Sequence, residues 1–159
     1  MRSVVLFLTI VIPFAPVVMT GADRVVTRSQ ILKDIAAQKK LVVDGVKLGK
    51  KGDFNALIEN VLAYVKTHDP ALYNRLGGNL TKIQDLLATL DSKKASPDEY
   101  DAVRAFCTEY ANKARAHAEH LRKSFFKPKE QRYAAEMLAQ TFDLYGERIG
   151  ESVDKKIGK

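Results

Sequence analysis

His117 and His120 stand three residues apart, with Glu119 between them. On a helix that spacing puts both imidazoles on one face, where they could hold a metal ion. No HExxH run accompanies them and no third ligand stands at a useful spacing. Two partly exposed helical histidines are the weightier reading, and no metal is expected. Gly77-Gly78 and Gly49…Gly52 lack the strand–loop–helix setting of a phosphate-cradling loop and read as turn punctuation. No nucleophile motif occurs. The chain is therefore expected to be no enzyme and to need no cofactor.

The cations are the next candidates. Lys113, Arg115, Arg122, Lys123, Lys127, Lys129 and Arg132 gather in one stretch, with Phe125 and Phe126 among them. Such a patch can attract a fatty-acid carboxylate, an acidic membrane or nucleic acid. It is also what a solvated helix C-terminus looks like, since cations suit the negative end of the dipole.

The compartment narrows these choices. Arg2, an apolar run from Val4 to Met19 and small residues before Asp23 form the pattern of a secretory signal peptide, with Thr20 and Ala22 at the −3 and −1 positions. Pro13 and Pro16 interrupt the run, which is short for a membrane span. Residues 1–22 are expected to be cleaved, leaving a secreted chain, 23–159. The full chain carries +7, and losing Arg2 alone makes this +6. Secretion argues against nucleic acid as a partner. One cysteine, Cys107, excludes an internal disulfide and is expected to be a small buried hydrophobe. Asn79-Leu80-Thr81 is a sequon, so Asn79 is a candidate glycosylation site.

The elements that must position these groups are helices. With 159 residues, 46% hydrophobic, the chain suits one globular domain. Ile31, Leu32 and Ile35 suggest a first helix from about Ser29, followed by a glycine-rich linker. Asp53 reads as an N-cap, and Phe54, Leu57, Ile58, Val61, Leu62 and Val65 then keep a helical period. Asp69-Pro70 ends that helix and caps the next, with proline at N1. Gly77-Gly78 is expected to break it, because two glycines cost about 2 kcal/mol in a helix interior, with Asn79 capping a restart through Leu80, Ile83, Leu86, Leu87 and Leu90. Ser96-Pro97-Asp98-Glu99 is a capping box before a long helix closed by Phe126-Lys127-Pro128. A last helix runs from about Lys129 to about Ile157, its inward face including Ala134, Met137, Leu138, Thr141 and Tyr145. The expected fold is all-α, one compact domain of about five to six amphipathic helices.

From Phe54 to about Leu121 the order of features resembles the nematode fatty acid- and retinol-binding family. The resemblance is carried by Asp69-Pro70-Ala71-Leu72-Tyr73-Asn74 after an amphipathic helix, by Lys82-Ile83-Gln84-Asp85-Leu86, and by Ser96-Pro97-Asp98-Glu99 with Ala102-Val103-Arg104-Ala105-Phe106. It covers about half of the chain that follows the signal. The family's proline- and glutamate-rich opening is not found. The resemblance implies a helical domain enclosing an apolar cavity for a long-chain fatty acid or retinol, held without covalent chemistry.

Burying about 15 methylenes at ~0.8 kcal/mol each gives roughly 12 kcal/mol, against roughly 4–15 kcal/mol for association and ordering. The acyl chain must therefore be nearly enclosed, with its carboxylate at a wet, basic mouth. On the stripes, Leu57, Ile58, Val61, Leu62, Val65, Ile83, Leu87, Val103, Phe106, Tyr110, Met137, Leu138 and Phe142 are expected as cavity or core. Arg115 and Arg122 are expected at the mouth. The alternative function is a secreted interaction protein with a solid core, acting through its basic surface on an acidic partner or, transiently, a membrane. Oligomeric state is open.

Overall fold

A computed structural model describes residues 26–43 and 51–158. The expected signal segment and residues 45–50 of the expected glycine-rich linker, 45–53, lie outside the described residues, while residues 51–53 are helical. Among those described, every regular element is helical: α1 (Arg28–Val43), α2 (Lys51–His68), α3 (Pro70–Leu72), a π-helical segment (Tyr73–Gly77), α4 (Gly78–Ser92), α5 (Pro97–Lys123) and α6 (Lys129–Ile157). The fold is all-α, as the periodicity predicts.

The sharpest sequence signals become caps. Ser96 Oγ accepts the Glu99 amide at 3.4 Å, and the Ser96 amide donates to Glu99 Oε2 at 2.8 Å, which completes the capping box. Asp69 Oδ1 accepts the Leu72 amide at 2.9 Å, and Pro70 opens α3. Thr27 Oγ1 accepts the Gln30 amide at 3.3 Å and starts α1. Helix α2 begins at Lys51, two residues before the expected Asp53 cap, a displacement ordinary for helix ends.

The glycine pair behaves otherwise. Helical backbone continues over residues 70–92, and Gly77 and Gly78 both hold right-handed helical angles. Packing overrides propensity here. A Cβ on Gly77 would stand 2.9 Å from Tyr73 Cδ2 and 3.4 Å from Leu62 Cδ2, so this glycine admits close neighbours. The break is absorbed as a π turn, which admits the extra residue without ending the helix. Asn79 is accordingly no cap: its Nδ2 donates to Arg75 O at 3.4 Å, inside the helix.

Helices α5 and α6 form an antiparallel hairpin joined by residues 124–128. Helix α6 also touches α2 and α1, while α4 packs on α5. This three-sided contact explains the breadth of the apolar face of α6. Ala134, Ala135, Met137, Leu138, Thr141, Phe142, Tyr145 and Ile149 are all buried, covering far more than a single stripe. Phe54 of α2 meets Tyr145 edge to face at 4.7 Å. The buried apolar residues form one contiguous core.

The inward line of α5 is Val103, Cys107, Ala111, Ala114, Ala118 and Leu121, mostly small, so α6 approaches closely: a Cβ on Gly146 would lie 3.7 Å from Cys107 Cβ. Helix α5 stops at Lys123, three residues before Phe126. Lys127 then takes φ 43°, the left-handed region that costs an L-residue about 1–2 kcal/mol.

Candidate functional site

A cleft of about 440 Å³ opens beside α6, between α1 and α5. Ile35, Phe142, Leu144 and Cys107 supply its apolar wall, while Lys39, Arg104, Thr108, Gln140, Asp143 and Glu147 supply polar groups. The cations come from different helices. Lys39 on α1 lies 3.7 Å from Glu147 on α6. Arg104 on α5 reaches across to α6 above Gly150, where a Cβ would come within 3.5 Å of its Cζ. Among the described residues Arg104 has no ion-pair partner, which leaves its guanidinium open to an anion.

Cys107 is 1% exposed, and burial pushes its thiol up to about 12. It therefore stays protonated at neutral pH and is poorly nucleophilic. Its place in the wall is that of a small hydrophobe, as its isolation in the sequence suggests.

Two buried polar atoms on the helices that border the cleft, though not in its lining, lack a hydrogen-bond partner among the described residues: Gln38 Oε1 on α1 and the Tyr145 hydroxyl on α6. Burial raises the Tyr145 pKa, so the hydroxyl keeps its proton. Groups of this kind are uncommon in protein interiors.

The apolar residues read from the stripes divide as follows. Leu57, Ile58, Val61, Val65, Ile83, Leu87, Val103, Met137, Leu138 and Phe142 are buried in the common core, and Leu62 and Tyr110 pack against it, Tyr110 stacked on Phe142 at 5.6 Å. Of all these, Phe142 alone lines the cleft. Phe106 departs from expectation. It is 46% exposed, because the inward line of α5 passes through Val103 and Cys107 and leaves Phe106 on the flank.

The expected mouth cations are not at the cleft either. Arg115 is paired with Asp143 across the hairpin and bonded to Asn112 at 3.0 Å. Arg122 holds Glu119 at 2.8 Å and lines a separate pocket at the α5–α6 turn. Arg104 and Lys39 were missed because neither lies in the dense basic stretch. Arg104 stands one residue after Val103, and the glycine that receives it, Gly150, lies 46 residues further along the chain on α6, so no local spacing announces the pair.

His117 does not join His120. Its Nε2 lies 2.8 Å from Asp69 Oδ2 and its Nδ1 lies 3.1 Å from Arg75 Nη2, so both ring nitrogens are occupied. Among the described residues no three His, Cys, Asp or Glu side chains gather as a metal site would require.

Comparison with family models, with curated proteins and with solved structures returned no match.

Proposed function

We propose that this chain is a secreted carrier of long-chain fatty acids or retinoids, bound without covalent chemistry in the cleft between α1, α5 and α6. The observation that supports the reading is the cleft itself. Its 440 Å³ falls in the range of about 300–1,000 Å³ usual for small-molecule sites. Its wall is partly apolar, and an unpaired guanidinium, Arg104, stands at its edge. Lys39, Asp143 and Glu147 also line the cleft but are taken up in ion pairs, and the pairing of an apolar wall with the remaining cation suits an amphiphile with an acidic head. The acyl chain would lie along Ile35, Phe142 and Leu144, and the carboxylate would meet Arg104 where water still reaches it.

Helix α1 supplies Ile35 and Lys39 to the cleft, so a carrier of this kind would enclose its cargo by a movement of α1. Helix α1 packs on both α6 and α2 and buries Ile31, Ile35, Gln38 and Val42.

The test is a titration with a fluorescent fatty-acid analogue, displaced by oleate and by retinol. A saturable, blue-shifted signal reversed by either competitor is expected. Thr108→Trp, an exposed position on the cleft wall, is expected to obstruct binding. Arg104→Gln is expected to weaken oleate by about tenfold, the worth of one charged hydrogen bond, and retinol much less. A flat titration from a well-folded helical sample would refute the carrier reading.

A further inference from the structure

Phe125 and Phe126 occupy the turn between α5 and α6, 92% and 88% exposed. They are the most exposed large apolar side chains described, and their rings meet edge to face with centroids 5.5 Å apart. Single exposed hydrophobes are ordinary on protein surfaces. Two adjacent aromatic rings at the tip of a hairpin of 27- and 29-residue helices are not.

Directly beside them lies a pocket of about 220 Å³ lined by Leu121, Arg122, Lys127, Pro128, Lys129 and Arg132. Four of these six are cations and none is an acid. Arg122 is engaged by Glu119, and Arg132 Nε lies 3.5 Å from Glu136 without forming a hydrogen bond. Lys127 and Lys129 have no ion pair among the described residues. The left-handed backbone at Lys127 sits immediately after the two rings, and the Lys127 amide donates to Ser124 O at 3.2 Å. The turn is thus tied back on itself with both rings pointing to solvent.

We infer that this tip docks on the surface of an anionic phospholipid bilayer. The two phenylalanines enter the boundary between headgroups and acyl chains, and the cationic pocket receives lipid phosphate. The chemistry matches on both counts. Aromatic side chains favour that boundary, and each nearby lysine or arginine adds attraction to an anionic surface. An acidic protein would satisfy the cations but would leave two bare rings without purpose. No described helix is long and apolar enough to cross a membrane, so the contact is interfacial. The inference needs no cargo and stands apart from the carrier reading.

The sequence contains no tryptophan. Phe126→Trp in the full chain therefore places a sole indole at the tip, where it reports this site whatever the apolar N-terminal segment does. Its emission is expected to shift to the blue on vesicles of phosphatidylcholine and phosphatidylserine, and to be quenched by lipids labelled near the top of the acyl chain. Phosphatidylcholine alone is expected to give little shift. Adding Lys127→Gln and Lys129→Gln should weaken vesicle binding about fivefold per lysine, and added salt should weaken it further. Helicity by circular dichroism confirms that each variant is folded. Unchanged emission on anionic vesicles, an equal shift on neutral ones, or an affinity for anionic vesicles unchanged by loss of both lysines would overturn the inference. So would an equal shift with polyglutamate in place of vesicles, which would point to an acidic protein instead.

Discussion

His117 Nε2 lies 2.8 Å from Asp69 Oδ2, joining the C-terminal third of α5 to the junction between α2 and α3. Asp69 is 4% exposed, and its other oxygen caps α3 through the Leu72 amide. One carboxylate therefore holds both a helix start and a contact between elements 48 residues apart. The guanidinium of Arg75 can only donate. His117 Nδ1 must then be its acceptor, which assigns the neutral ring with its proton on Nε2, donated to Asp69.

Asp69→Ala removes the cap and leaves a part-buried imidazole N–H without its partner. The expected loss of stability is roughly 2–3 kcal/mol, combining a helix cap with a hydrogen bond to a charged group. Asp69→Asn should lose less, because its amide oxygen can still cap. Chemical denaturation of the three proteins measures the order. Nitrogen-15 chemical shifts of the His117 ring near neutral pH test the tautomer, and a proton found on Nδ1 would refute the assignment.

The glycine pair should respond with opposite signs. Gly78 is helical and nothing would approach its Cβ within 4 Å, so Gly78→Ala is expected to stabilise by about 1 kcal/mol, the difference in helix propensity. A methyl at Gly77 meets the Tyr73 ring at 2.9 Å, and Gly77→Ala is expected to destabilise. Thermal melts of the two variants decide it, and equal gains from both would mean the close contact at Gly77 costs nothing.

Acid should weaken the start of α5. The Lys93 ammonium and the Ser96 amide hold the Glu99 carboxyl below its ordinary value of 4.5. A depressed carboxylate contributes stability above its unfolded value, and the contribution fades as pH falls through the folded one. Glu99→Gln should thus be less stable than the native chain at neutral pH, with the gap closing below 4.5. Ser96→Ala, which removes the other half of the box, should cost about 1 kcal/mol. A gap for Glu99→Gln that is constant from neutral pH into acid would show that the charge plays no part. The pair lies on the surface, so salt should shrink the effect.

Local signals made most of the fold legible. Ser96-Pro97 and Asp69-Pro70 announce their helices because capping is decided within four residues, and the structure keeps both. Gly77-Gly78 misled because its reason is a neighbour: Leu62 sits fifteen residues away in the chain. Phe106 misled because helical period fixes a face only to within a flank, and the line of α5 runs one position to the side. The candidate cleft was the least legible. It needs Ile35 and Lys39 from α1, Arg104 from α5 and Phe142 from α6 together, and no periodicity reports which faces of three helices will meet. The contacts of His117 could not be read from the sequence, because its partners, Asp69 and Arg75, stand 48 and 42 residues away.

The five-residue connection between the two longest helices bears on how the chain reaches its fold. Closing so short a loop sacrifices little entropy, and the contacts it permits join segments that are near neighbours in sequence, the condition for rapid folding. The α5–α6 hairpin is accordingly the place where burial can first outrun disorder, with α1, farthest away along the chain, docking on α6 last. On that order, truncations at Ala114 and Leu138 would slow folding, while Ile31→Val would chiefly hasten unfolding.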